Sequence, residues 1–296
     1  MKEKPFSKYQ ILANAVMIIW TLAIILPFIL LFMSSITDEN TLVANGYSFF
    51  PKKFSLASYS YIIKSGGQIL KAYGVSIGVT VVGTLLNVLL SALMAYPLSV
   101  KNLPGRNVMM FFVFFTMLFN GGIVPSYIMW TGTFHIKDTI FAQLLPNFLL
   151  SAWNVMMIRT YFTTSIPDGL YEAAEIDGAS QFTIFWKIVL PLGKPILVTM
   201  GTFAGLAYWN DWTNGLYYIV KNTGLYNVQN LLNQMVQNIQ FLTQSSNSNV
   251  TAAASTIPAT GIQVAIAFVA ILPIMLIFPS FQKYYAKGIA LGAVKG

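Results

Sequence analysis

Apolar residues fall along this chain in long blocks separated by short polar stretches. Residues 9–37, 72–100 and 107–136 contain no Asp, Glu, Lys or Arg, and neither do residues 139–158. A bilayer-crossing helix needs about 20 mostly apolar residues. The pattern therefore predicts an all-α membrane protein with six spans, near 11–34, 72–98, 108–131, 139–162, 189–218 and 257–281. Pro191, Pro195 and Asp211 interrupt the fifth of these, and Pro27, Pro97, Pro125, Pro146, Pro273 and Pro279 fall inside or beside others. Helix breaks at membrane depth are tolerated where neighbouring helices or a water-filled cavity satisfy the freed carbonyls. The first block, 11–33, is too long for the core of a cleavable signal and lacks a small-x-small exit, so it reads as a membrane helix.

Composition narrows the class further. The chain is 56% hydrophobic and 9% charged, against roughly 25% charged in soluble domains. With no cysteine and the single histidine His135, it offers no disulfide, thiolate metal site or thiol nucleophile, and no histidine metal cluster. The net charge of +8 does not point to nucleic acid, because the basic residues are scattered between apolar blocks. Six spans put both termini on one side. That side holds eleven basic residues, Lys2, Lys4, Lys8, Lys101, Arg106, Arg159, Lys187, Lys194, Lys283, Lys287 and Lys295. The other holds six, Lys52, Lys53, Lys64, Lys71, Lys137 and Lys221. The positive-inside rule then expects the termini in the cytoplasm.

Two polar features break the pattern. Tyr208-Trp209-Asn210-Asp211-Trp212-Thr213-Asn214 lies inside the fifth block. A carboxylate at a membrane helix centre costs about 2.5–3.5 kcal/mol, so Asp211 is expected to face protein or water. Aromatic rings beside Asn and Asp suit sugar recognition, and they equally suit an interfacial aromatic belt. Asn87, Asn147, Ser151, Asn154, Thr202 and Gln263 suit either a neutral polar channel or bonds between helices. The second feature is residues 222–249, with twelve Asn and Gln and no charge. There Leu231, Leu232, Met235, Val236 and Ile239 recur at helical spacing, which predicts an amphipathic outer helix facing a docked protein or a hydroxyl-rich ligand.

Between the fourth and fifth blocks stands Glu172-Ala173-Ala174, then Gly178, Ile188 and Leu190-Pro191, an E-A-A-x3-G-x9-I-x-L-P run. Ser165-x-x-Asp168 reads as a capping-box start with Pro167 in the first turn. Residues 170–176 then form a short helix whose Ala173 and Ala174 give a small-residue face, and Gly178 ends it in the left-handed conformation. A second helix follows over 179–189, bounded or kinked by Pro191 and Pro195. The positive-inside count places this loop in the cytoplasm independently of the motif.

The run resembles the loop signature of the membrane subunits of binding-protein-dependent ABC importers. From about residue 70 onward the chain is similar to the smaller permease subunit of type-1, maltose-like carbohydrate importers. Phe119-Asn120-Gly121-Gly122-Ile123-Val124-Pro125-Ser126-Tyr127 and Met157-Ile158-Arg159-Thr160-Tyr161-Phe162 look like the branch that handles oligosaccharides from complex polysaccharides. The end, Gly288-Ile289-Ala290-Leu291-Gly292-Ala293-Val294-Lys295-Gly296, is similar to a tail that reaches between ATPase subunits.

The resemblance implies a type-1 permease fold, with an N-terminal segment, first helix and outer loop at 1–68, a core at 69–281 and a tail at 282–296. Within the core a coupling helix lies at about 166–178. Glu172, Ala173, Ala174, Asp177, Gly178, Ile188, Leu190 and Pro191 would engage an ATPase, and Gly288, Gly292 and Lys295 would reach it from the tail. Asn87, Asn147, Asn154, Tyr208, Trp209, Asn210, Asp211 and Gln263 are candidates for the substrate pathway. The implied partners are a second, homologous permease in a heterodimer, two ATP-binding subunits, an extracytoplasmic solute-binding protein that residues 222–249 would probe, and membrane lipid. The implied location is the bacterial inner membrane. No G-x-x-x-x-G-K-[ST] phosphate loop occurs, since Gly193-Lys194 runs into Pro195, so ATP and Mg are expected only on the partner and no catalytic or metal residues are expected here.

Three other readings carry less. An ABC permease for amino acids or peptides fits the motif, but the neutral amide and aromatic composition favours sugar. An ion-coupled carrier wants repeated halves and midplane ionisable groups. An intramembrane enzyme wants a constellation that His135 alone does not supply.

Overall fold

The computed structural model describes residues 8–64, 66–244 and 259–293. Among these there is no strand, only an isolated antiparallel bridge between Thr37 and Phe54. Among the described residues two helices are long and apolar enough to cross a membrane, or up to four if each of two bent pairs is one span.

The chain divides into two units, Met1–Ile69 with Leu232–Pro273, and Leu70–Leu231 with Ile274–Gly296. The first contains α1 (Lys8–Ser35), α2 (Glu39–Asn45) and α3 (Ala57–Lys64). None of the most apolar window of α1 is buried in the protein, and that is what lipid-facing side chains require. Helix α14 (Val228–Gln244) contributes most of its length to this unit, as α15 (Ala259–Ala293) contributes its first part. Here Ile62 of α3 and Ile262, Ala265 and Ile266 of α15 form a small core under Leu232 and Met235 of α14. Glu39 ties the loop to α15: its two carboxylate oxygens accept the Thr260 and Gly261 N–H groups at 2.9 and 2.7 Å. These are two of the four N–H groups that a helix start leaves without intrahelical partners.

In the second unit, α4 (Gly66–Ser99) is about 50 Å long. Its buried residues, Ala72, Ser76, Val79, Gly83, Asn87, Ser91 and Ala95, recur every three or four positions and are mostly small or polar. Ile77, Val81, Val82, Leu85 and Leu93 point outward. That reverses the soluble pattern and is how membrane helices bring backbones close. Helix α8 (Ala152–Ser165) adds Val155, Ile158 and Phe162, all fully buried, to a core shared with Ala92, Ala95 and Tyr96.

Three predicted spans are broken. The block 108–131 becomes α5 (Arg106–Leu118) and α6 (Ile123–Ile128), the latter continued by a π turn at Met129–Thr133, and the two directions differ by 108°. Asn120 accepts the Gly122 N–H at 2.8 Å, and Gly122 takes φ +88°, so the corner is built into Asn120–Gly122. The block 139–162 is not one helix. Only α7 (Phe141–Leu144) precedes α8, because Pro146 and Asn147, the latter at φ +67°, interrupt it. The block 189–218 is likewise shorter. Helix α12 (Lys194–Asn210) leaves the preceding Gln181–Leu192 stretch at 79° and ends at Asp211, so that carboxylate caps a helix end rather than sitting mid-helix. The last block does form a helix, longer than expected.

Candidate functional site

The E-A-A loop folds as a helix–turn–helix. Helix α9 (Asp168–Ile176) follows Pro167, whose extended backbone starts it without a side-chain cap. The expected capping box is not formed: Ser165 is instead the last residue of α8, and Lys101 holds Asp168 in an ion pair of 2.5 Å. At the other end the bonding is that of a Schellman turn. Ala179 N–H bonds the Ala174 carbonyl at 2.9 Å, Gly178 N–H bonds Glu175 at 3.0 Å, and Gly178 takes φ +75°. Any other residue would be strained there. Ser180 then caps α10 (Gln181–Ile184) through the Thr183 N–H at 3.2 Å. A π turn, Phe185–Val189, and α11 (Leu190–Leu192) lead to the bend before α12, so the helix expected over 179–189 starts later and widens midway.

The two alanines do not share a face. Ala174 is buried against the core, while Ala173 is exposed with Glu172, Asp177 and Gly178. Successive helical residues point about 100° apart, and here that turn carries Ala174 onto the core while Ala173 stays on the outer face. Ile188 and Leu190 are half-buried on the core and Pro191 is exposed. The motif is thus part surface and part anchor. The anchor continues through Tyr96, whose hydroxyl donates to Gln181 Oε1 at 2.5 Å while Gln181 Nε2 donates to Glu175 at 2.8 Å. Sequence reasoning missed the apolar part of the surface. Ile176 is 86% exposed between two acids, and Phe182 and Trp186, in edge contact at 5.9 Å, are exposed beyond it. The signal was available: an isoleucine flanked by Glu175 and Asp177 has no reason to be there for solubility.

The pathway candidates form a different kind of site. Asn154 of α8 donates to Asn87 of α4 at 2.7 Å, and Asn87 donates to the Phe148 carbonyl at 2.6 Å. Asn147 donates to Asn214, which donates to the Pro146 carbonyl at 3.1 Å. Tyr208, fully buried, donates to the Leu144 carbonyl at 2.9 Å. These partners are carbonyls that the broken 139–162 segment frees from helical bonding. Asp211 Oδ1 accepts the Thr213 N–H and hydroxyl and the Asn214 N–H, at 3.0, 2.7 and 3.3 Å, which starts α13 (Thr213–Tyr218). The Asp211 backbone carbonyl takes a bond from Asn227 at 2.6 Å. Trp209 and Asp211 are buried, Asn210 is exposed, and Gln263 is half-buried on α15 in the first unit.

Two residues outside the expected set belong here. Fully buried Gln143 donates to the Leu225 carbonyl and to Asn230 Oδ1, at 3.1 and 3.2 Å, and Asn230 donates to the Trp212 carbonyl. Gly215 makes room for that amide, since a Cβ there would lie 1.9 Å from Asn230 Oδ1. At the rim, Asp138 Oδ1 accepts three N–H groups, from Val220 and Lys221 at 2.7 Å and Asn222 at 3.2 Å. The Lys221 N–H first, and then the other two, hold its carboxyl below the usual range against a smaller opposing effect of burial. Among the described residues no group of three or more His, Cys, Asp or Glu could hold a metal. Gly288 and Gly292 lie on α15, and Lys295 lies outside the described residues.

Residues 72–291, which take in both the capped loop and the amide network, match the family described as binding-protein-dependent transport system inner membrane component. The chain belongs to that family. Binding-protein-dependent inner membrane components are permeases of ABC importers and work with a solute-binding protein and an ATPase, and this chain's apolar helices fit that setting. It is 36% identical over 272 residues to Protein LplC of Bacillus subtilis (strain 168), covering 92% of this chain and 90% of that one. It is 35% identical over 288 residues to the polygalacturonan/rhamnogalacturonan transport system permease protein YtcP of the same organism, covering 97% and 98%. A solved chain from a bacterial ABC transporter involved in the import of the acidic polysaccharide alginate superposes with a TM-score of 0.79 at 26% identity, over 96% of this chain and 100% of that chain. That match establishes the type-1 permease fold.

Proposed function

We propose that this permease imports sugars, as oligosaccharides, and forms half of a translocation pathway whose other half is a second, homologous permease. Two ATP-binding subunits supply the hydrolysis, with ATP and Mg bound on them, and this chain does no chemistry of its own. Taking the six apolar blocks of the sequence as spans puts both termini and α9 in the cytoplasm, in keeping with eleven basic residues on that side against six on the other. The observation that carries the coupling role is α9 itself. Its ends are fixed by Pro167 and Gly178, its inner face is anchored through Ala174, and its outer face presents Glu172, Ala173, Ile176 and Asp177. A preformed, shallow helix of this kind suits a cleft on an ATPase.

Closure of the ATPases would push α9, and through Gln181, Tyr96 and the core around Phe162 and Phe185 would rock the helices that it touches. ATP and loaded binding protein then favour one of two states, which is the thermodynamic content of the coupling. The sugar assignment rests on a relative named for polygalacturonan and rhamnogalacturonan and on the alginate transporter, with the amide-rich composition in support. An amino-acid cargo has no comparable support.

The test is uptake by liposomes holding the complete transporter, with ATP inside and binding protein outside. The expected result is ATP-dependent accumulation of labelled oligosaccharides, lost when the ATPase is inactivated. Uptake that survives ATPase inactivation, or that follows amino acids and not sugars, overturns the reading.

A further inference from the structure

The basic side chains around the start of α5 are not all balanced. Lys101 is neutralised by Asp168 in the ion pair already described. Arg106 and Arg159 have no such partner: among the described residues the other ion pair joins Lys53 to Asp38. Helix α5 packs on α8, with Met110 and Val113 against the core that holds Val155 and Ile158. This packing brings Arg106, one turn before Met110, close enough to Arg159 for the two charges to repel. Both side chains are half-buried. Arg159 donates its Nε hydrogen to the Leu98 carbonyl at 3.2 Å, which fixes the guanidinium and, among the described residues, leaves its Nη groups without a partner.

Three features of this place call for one explanation. Two like charges that are half-buried lose hydration and repel each other, which is unfavourable unless something neutralises them. Arg106 is also the first residue of α5, which begins behind Gly105 with no side-chain cap and no acid in its first turn. A cation there opposes the positive end of the helix dipole, whereas an anion is favoured by the dipole and by the free N–H groups of the first turn. Beyond that turn, α5 exposes Val108, Met109, Phe111, Phe112 and Phe115. A ligand that suits all three features has a phosphate at one end, which guanidinium forks hold in bidentate fashion, and an apolar body at the other.

We infer that Arg106 at the start of α5 and Arg159 near the end of α8 hold the phosphate of an anionic phospholipid, whose acyl chains lie along the exposed face of α5. The inference rests on the orientation proposed above, which puts both arginines at the inner leaflet. A free phosphate ion has the same headgroup chemistry, and the apolar face of α5 selects the lipid. An acidic loop of a partner protein would answer the charge and leave that face uncovered.

The experiment uses the complete transporter in detergent, with fluorescent phosphatidylglycerol as the probe and phosphatidylcholine of the same chains as the reference. Two basic groups at about fivefold each give an expected preference of about twenty-fivefold for phosphatidylglycerol. Arg106→Gln should lower that preference about fivefold while leaving the Arg159 bond to Leu98 in place. Arg106→Lys, which keeps the charge, should lose less. Lys187→Gln removes an exposed charge on the same side of the membrane and should not change the preference. Inorganic phosphate in excess should not displace the probe. No preference in the wild type, an equal loss in Lys187→Gln, or displacement by phosphate would each overturn the inference. So would an Arg106→Gln protein that keeps the preference but no longer co-purifies with the ATPase, which would make the pair a protein contact. Orientation is read separately: the chain has no cysteine, so Asn102→Cys, in the turn before α5, is expected to resist an impermeant maleimide in intact cells. Labelling there refutes the orientation and the inner-leaflet assignment with it, whereas a missing preference with an unlabelled cysteine refutes the lipid site alone.

Discussion

Two regions of the second unit, the α9 loop and the amide network, are stabilised by opposite means. The α9 loop is capped by its own backbone: Pro167 at one end, Gly178 and the Ala179–Ala174 bond at the other, all within a dozen residues. The network around Gln143, Asn214 and Asn230 is made of side chains reaching carbonyls 18 to 82 positions away. A capped exposed helix keeps its shape while leaving its surface free for another protein. A buried amide network does the reverse, using its polar groups to close irregular backbone that lipid would not tolerate. Each interhelical bond of this type contributes only about 0.6 kcal/mol on average in a membrane protein. The larger quantity is the cost of a carbonyl or amide left without a partner, about 1–3 kcal/mol.

Breaking each region should therefore give different symptoms. The largest effect is expected from Gly178→Pro, which fixes φ near −65° where +75° is needed and removes the N–H that bonds Glu175. Against about 3 kcal/mol of disruption, transport should fall roughly a hundredfold, while membrane insertion and thermal stability in detergent stay near wild type. Co-purification of the ATPase at wild-type yield, with normal uptake, would sink the assignment of α9.

Gly215→Ala should show the opposite pattern. Its Cβ would overlap Asn230 Oδ1 and force that amide off Gln143 and the Trp212 carbonyl, at about 1–3 kcal/mol. Detergent melting should drop by several degrees, with ATPase co-purification retained by the protein that remains folded. An unchanged melting curve would show the network to be incidental.

The smallest and most local effect belongs to Asp138. Its folded carboxyl titrates below the ordinary aspartate range, so the clasp on residues 220–222 is complete at neutral pH. It is lost only as pH falls through that depressed value, beneath the ordinary aspartate range. Asp138→Ala should speed amide hydrogen exchange at Val220, Lys221 and Asn222 at pH 7 and leave exchange in α9 unchanged. Equal protection in both proteins would mean the clasp is not formed in solution.

The same contrast explains what the sequence disclosed. The α9 turn was readable because its determinants are local: a glycine that ends a helix, a proline before one, acids in the loop. The misread Ser165 cap came from assigning to α9 a residue that α8 keeps, and the expected Ala173–Ala174 face from not knowing which side of α9 meets the core. The apolar helices overlap the predicted blocks, but the breaks in them were not legible, because Asn120 and Asn147 act through backbone conformations that a hydropathy pattern does not register. Asn87 and Asn154, singled out as polar groups, are buried and bond between segments, whereas Asn147 is exposed. Their partners were not legible, and neither were Gln143 and Asn230, since carbonyl acceptors carry no sequence signal. Asp211 looked like a charge stranded in mid-membrane because the end of α12 could not be placed. Once the helix stops at Asn210, the carboxylate is a cap with work to do on the next turn.

The π turn at Phe185–Val189 matters to anyone exchanging this loop between transporters. Such a turn holds one more residue than an α turn, so everything after it is rotated by roughly 100° relative to an uninterrupted helix. A chimera joined upstream of Phe185 inherits the native phase of Leu190, Leu192 and α12. A chimera joined downstream, with a donor segment lacking the extra residue, would present the wrong edge of α12 to α4 even at perfect sequence alignment. Splice points in this family are therefore a question of helical phase before they are one of homology.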